Sequence, residues 1–160
     1  LAEGMVVDKV AQMRKAGRTL AEAARWVKEN IPHFCLYATV DDLNHLYRGG
    51  RVSRTTAFLG SAIGIKPILK LDDTIAKVRG RKQSIQSLVK YMEEHAGAFL
   101  KQNDKVYITH GDCLEEAQYL AQLVKEKFGI AKAMINHIGP VIGSHAGPGA
   151  LALSFMGESK

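Results

Sequence analysis

A chain of 160 residues, 46% hydrophobic and 24% charged, has the length of one domain and a globular composition, which excludes a disordered segment or two full domains. No apolar run approaches the ~18 residues of a membrane-spanning helix. The formal charge of +6 is concentrated in residues 41–90, which carry ten Lys/Arg against four Asp/Glu, whereas the rest of the chain carries twelve of each. An acidic partner is expected there, and charge alone leaves phosphate, carboxylate and acidic protein open.

The first thirty residues read as two helices. Gly17 stops the first, and Thr19 with Glu22 forms a capping box that opens the second. Pro32 ends it, because the residue before a proline avoids the helical region. Phe34, Leu36 and Ala38 then alternate with Cys35, Tyr37 and Thr39, a strand pattern. Asp41 or Asp42 can cap a short helix reaching Tyr47, which Gly49 and Gly50 terminate. Thr55 or Thr56 can cap another through Ile63, closed by Gly64. Segments 65–71 and 75–79 read as strands joined by an Asp72-Asp73-Thr74 turn.

A long amphipathic helix follows, with Ile85, Leu88, Val89, Met92, Ala96 and Phe99 on one face. Segment 106–110 is a strand, and 114–128 a helix that Gly129 stops. Segment 131–137 is a strand, and 150–155 a last one after a glycine- and proline-rich stretch. About six strands with interspersed helices predict an α/β domain with a mixed sheet. The opening helices fit this scheme poorly and suggest a lobe outside the chain. A start at Leu1 rather than methionine, with no charged-then-apolar leader, suggests a chain cut from something longer. Cys35 and Cys113 stand without a CxxC or a second pair, which fits a reducing, cytoplasmic setting.

Three stretches carry possible chemistry. Residues 138–149 hold four glycines and two prolines, and predict a loop of special dihedrals. Such a loop can aim backbone N–H groups at an anion, with Ser144 and His145 adding side-chain donors, or it can simply turn the chain. Arg48-Gly49-Gly50-Arg51 can present guanidinium groups to a carboxylate or phosphate, or form an ordinary helix C-cap. Arg79-Gly80-Arg81-Lys82 is a basic tip, for which a solvated turn is the common explanation. Cys113 at a helix start, where the dipole can depress a thiol pKa, sketches a faint nucleophile with His110 as base; a structural cysteine is the commoner case. The six histidines lack metal-ligand spacing, and neither GxGxxG nor GxxxxGK[ST] occurs, so no metal or cofactor is expected.

Four collinear motifs carry a resemblance. Asp41-Asp42-Leu43 leads to Arg48-Gly49-Gly50-Arg51-Val52-Ser53. Leu59-Gly60-Ser61 then leads to Ile65-Lys66-Pro67-Ile68-Leu69. Val78-Arg79-Gly80-Arg81-Lys82 follows, and the last runs from Ile138-Gly139 to Gly143-Ser144-His145-Ala146-Gly147-Pro148-Gly149. In this order and spacing, over essentially the whole chain, the sequence resembles the DegV family of bacterial fatty-acid-binding proteins. The resemblance implies two α/β lobes with one long-chain fatty acid between them, the acyl tail in the C-terminal lobe. It also implies hydroxyl groups on the N-terminal lobe holding the carboxylate and, in some Gram-positive bacteria, presentation of the lipid to a fatty acid kinase. Residues 1–32 then correspond to the last helices of an absent N-terminal lobe, and 33–160 to the C-terminal lipid-binding lobe.

By that resemblance the headgroup site takes His145, Ser144 and Arg51. The acyl slot takes Phe58, Leu59, Ile63, Ile65 and Ile68, which would serve equally as ordinary core. Arg81, with Arg79, would contact the partner kinase. The expected function is a lipid carrier, not an enzyme, with no cofactor and no integral membrane segment. Burial of about fourteen methylenes at ~0.8 kcal/mol each would dominate affinity. The rival reading is a nucleic-acid-binding or regulatory module built on the basic 41–90 region, against which stand the low aromatic content (7%) and the lack of any nucleic-acid motif.

Overall fold

The computed structural model describes residues 2–51, 65–70 and 73–158. Two helices open it, α1 (Ala2–Lys15) and α2 (Leu20–Asn30). The capping box is present: the Thr19 hydroxyl accepts from the Glu22 amide while the Glu22 carboxylate accepts from the Thr19 amide. Strand β1 (Phe34–Thr39) follows, then α3 (Leu43–Arg48), which Asp42 caps by accepting from the Asn44 amide at 2.8 Å. Strands β2 (Ile65–Lys70) and β3 (Asp73–Arg79) form a hairpin with a register shift at Ile68/Leu69. Asp73 and Thr74, expected in the turn, therefore belong to the strand; the Thr55/Thr56 helix lies outside the described residues.

Helix α4 (Arg81–Ala96) buries Ile85, Leu88, Val89, Met92 and Ala96 as expected. It ends at Gly97, whose positive φ of 47° redirects the chain into a 3-10 turn (Gly97–Gln102). Phe99 therefore leaves the α4 stripe and stacks on His33 at 4.3 Å. Strand β4 (Val106–His110), α5 (Leu114–Phe128), β5 (Ala133–His137), α6 (Pro140–Ala146) and β6 (Leu151–Met156) complete the order.

The glycine- and proline-rich stretch corrects the expected loop: half of it is helix α6. Pro140 stands at the first helical position, where its missing N–H is no loss and its φ is already suitable. Gly143 sits inside the helix and bonds back to the Gly139 carbonyl. The special dihedrals are confined to Gly147 and Gly149, both with φ of 76°.

Among the described residues six strands form one mixed sheet in the order β3-β2-β1-β6-β4-β5, and of these the β4–β5 pair is parallel and the others antiparallel. Tyr37, Ile68, Ile108, Leu153 and Phe155 point to the face covered by α4 and α5 and form the main core. Alternate residues point to the other face, which α1 covers only at one end, with Met5 buried against Phe34, Tyr107 and Met156.

Candidate functional site

The uncovered part of that second face is hollow. Register sets out its floor in two rows: Leu36, Ser154, Tyr107 and Met134 lie side by side, and then Leu69, Ala38, Ala152, Thr109 and Asn136. The middle of the second row is alanine where a packed core would place larger side chains. With Leu46 of α3 and Ile142 and Ala146 of α6 over it, the result is a mostly apolar cavity of about 540 Å³. That volume lies within the ~300–1,000 Å³ of small-molecule sites.

At the α3–α6 end the helices interlock through glycines. The imidazole of His145, half-buried on α6, occupies the space a side chain at Gly49 would need; His45 does the same at Gly147, and Asp41 at Gly149. Arg51 donates from Nη1 to the Gly49 carbonyl at 3.1 Å. His145 and Arg51 thus converge on one glycine beside the cavity roof. Ser144 does not join them: it is exposed, and its hydroxyl donates to the Val141 carbonyl of its own helix at 2.8 Å.

The residues assigned to the acyl slot fare differently. Ile68 is fully buried in the main core with Ile85 and Leu88, because its register partner Thr39 is one residue beyond Ala38 and so faces the helices. Ile65 is half-buried at the start of β2 and does not line the cavity. Phe58, Leu59 and Ile63 lie outside the described residues. The cavity is lined instead by residues the sequence reading did not single out, Leu36, Ala38, Leu69 and Ala152. Their signal was present as period-two rows of small side chains, Ala38 in β1 and Ala150, Ala152 and Ser154 at β6.

The basic tip is also rearranged. Arg81 is only 17% exposed, and its Nε and Nη2 grip the Glu116 carboxylate, tying α4 to α5. Nη1 faces Asp41 at 3.5 Å, an ion pair without a hydrogen bond. Arg81 is committed within the chain, whereas Arg79 on edge strand β3 is exposed.

Cys113 fits the structural alternative and not the nucleophile. Burial pushes its thiol up to about 11 despite the Arg81 charge, with Glu116 adding to the rise. His110 is buried and kept below its ordinary pKa by that burial and by His137, whose ring lies 4.4 Å away. Its Nδ1 accepts from the Cys113 amide at 3.3 Å, so that nitrogen faces backbone. Among the described residues no His/Cys/Asp/Glu group could hold a metal ion, and no helix is long and apolar enough to cross a membrane.

A wider hollow of about 740 Å³ is lined by Asp41, Asp42, Asp112, Glu115 and Glu116. Those carboxylates repel an acidic ligand, so the apolar cavity is the better site for one.

The family model described as "Uncharacterised protein, DegV family" matches residues 1–158. A DegV domain-containing protein of Clostridium perfringens is 42% identical over 166 residues, covering 100% of this chain and 56% of that protein. The crystal structure of DegV, a fatty acid binding protein from Bacillus subtilis, is 30% identical with a TM-score of 0.75, covering 99% of this chain and 57% of its own. The Streptococcus pneumoniae Fatty Acid Kinase (Fak) B3 protein, loaded with linoleic acid, shares the fold at a TM-score of 0.84 and 17% identity, over 96% of this chain and 55% of its own. The chain spans a little over half the length of the relatives it matches. Sequence likeness along nearly the whole chain and the six-stranded mixed sheet agree: the chain belongs to the DegV family.

Proposed function

We propose that this chain is the C-terminal part of a carrier that binds a long-chain fatty acid and presents it to a fatty acid kinase for phospholipid synthesis. The observation that carries this reading is the apolar cavity of about 540 Å³ on the half-covered sheet face, roofed by Leu46, Ile142 and Ala146. The tail crosses the alanine row, and the carboxylate rests near His145, whose ring donates to it. Arg51 adds a cation beside it. A buried carboxylate needs such donors. Residues 33–160 form the lipid-binding lobe, against which α1 packs, and residues 1–32 lead into it from an N-terminal lobe that completes the headgroup site with hydroxyl groups. The carrier works in the cytoplasm and performs no chemistry of its own. Exposed Arg79 on the basic tip meets the kinase.

Mass spectrometry of organic extracts from the full-length protein tests the reading. A long-chain fatty acid is expected at near-equimolar amounts. Lipid-free protein that also fails to take up added palmitate or oleate would overturn it.

A further inference from the structure

We propose that Tyr107 is the end wall of the cavity and limits the length of acyl chain accepted, an inference that rests on reading the cavity as an acyl slot. The direction of the slot follows from register. With the headgroup at the α3–α6 side, where the proposed function puts it, the tail runs across the Ala38–Ala152–Thr109 row towards the row of Leu36, Ser154, Tyr107 and Met134. Beyond that row the cavity stops, because Phe34 and Met156 pair next along β1 and β6 and are buried with Met5 and Tyr107. Tyr107 belongs both to the cavity lining and to this packed cluster.

The ring is also clamped. Its hydroxyl donates to Asp8 Oδ2 of α1, and the same oxygen is held by Lys105 at 2.7 Å and Gln12 at 2.8 Å. Moving the ring aside means breaking that bond, which keeps a charged group satisfied, and opening the contacts of Met5. A methylene too many must therefore stay in water or displace a pinned wall. Ala152 in the row before has the opposite role: its small side chain leaves the passage open.

The test is competition binding of saturated fatty acids from about C10 to C22 to the full-length protein, its Tyr107→Leu variant and its Ala152→Val variant, with thermal unfolding in parallel. Tyr107→Leu is expected to shift the preferred chain about two carbons longer, each extra buried methylene giving about fourfold in affinity. Ala152→Val is expected to shift it shorter. Should Tyr107→Leu not fold, Tyr107→Phe, which keeps the ring but drops the Asp8 bond, is expected to weaken discrimination against the next longer chains. An unchanged length profile in the folded variants, or a uniform loss at every length, overturns the role of Tyr107 while leaving the slot standing. Failure of the wild-type protein to bind any of the series overturns the slot itself and this inference with it.

Discussion

The imidazole of His145 rests on Gly49, in the space that a β-carbon at position 49 would fill. Gly49 has an ordinary φ of −78°, so alanine is allowed there by the backbone and the substitution acts on the contact alone. Gly49→Ala is expected to push the ring away rather than unfold the lobe, at an overpacking cost of about 1–3 kcal/mol. Lipid affinity should fall with it. Thermal unfolding with calorimetric titration of palmitate into the full-length protein checks both, and wild-type affinity would show that the ring's position does not matter.

Direct removal of the imidazole separates anchoring from presentation. Tail burial dominates affinity, so His145→Ala should cost only ~1–3 kcal/mol of binding, the range of one hydrogen bond to a charged group. Acyl-phosphate formation by the kinase should suffer more, because headgroup orientation decides that rate. Ser144→Ala should change neither quantity measurably, since its exposed hydroxyl is bonded to Val141 within α6. Equal losses from the two variants would mean that α6 matters as a scaffold and His145 has no special place.

Arg81 and Arg79 make a second contrast, between a cation turned in and one turned out. Arg81→Ala leaves Glu116 and Asp41 without their shared partner. Because the pair is only partly buried, a loss of about 1–2 kcal/mol in urea unfolding is expected, between the exposed and buried extremes. Arg79→Ala should stay within ~0.5 kcal/mol of wild type and instead slow the kinase reaction at limiting kinase concentration. Unaltered stability in Arg81→Ala would refute its role as the α4–α5 tie.

These contrasts also mark what the sequence could tell. Helix ends were legible wherever a local cap forms, through the side chains of Thr19 and Asp42 or the left-handed backbone of Gly129, because capping is local. The order of mixed strands was legible as a class but not as β3-β2-β1-β6-β4-β5, since pairing between distant segments leaves no local mark. Ile68 was placed in the slot because an apolar residue reads the same on either sheet face; only its register with Thr39 shows that it points to the helices. The cavity itself is written in absences, Ala38 and Ala152 among larger neighbours, and small residues draw little notice in a hydrophobic pattern. Arg81 looked free because Glu116, 35 residues away, becomes its partner only in the fold.

The clamp on Tyr107 should give the lobe a recognisable acid sensitivity. Burial alone would raise the Asp8 pKa, but hydrogen bonds from Lys105 and Tyr107, with the Lys105 charge, outweigh it and hold the carboxyl below its ordinary 3.8. A depressed pKa means that the folded state binds the proton less readily than the unfolded state. The contribution of Asp8 is therefore fully present above 3.8 and is lost as pH falls through its lower folded value. Asp104, held down by Lys9 after the opposing effect of burial, acts in the same window and must be separated from it. Urea unfolding between about pH 6 and pH 2.5 should show stability dropping at the acid end. Asp8→Asn should lower stability near neutrality and flatten part of that drop, and Asp104→Asn should flatten another part. Of the two, only Asp8→Asn should also release Tyr107 and relax the acyl-length limit. An acid slope unchanged by Asp8→Asn would mean that the α1–β4 clamp contributes nothing to folding.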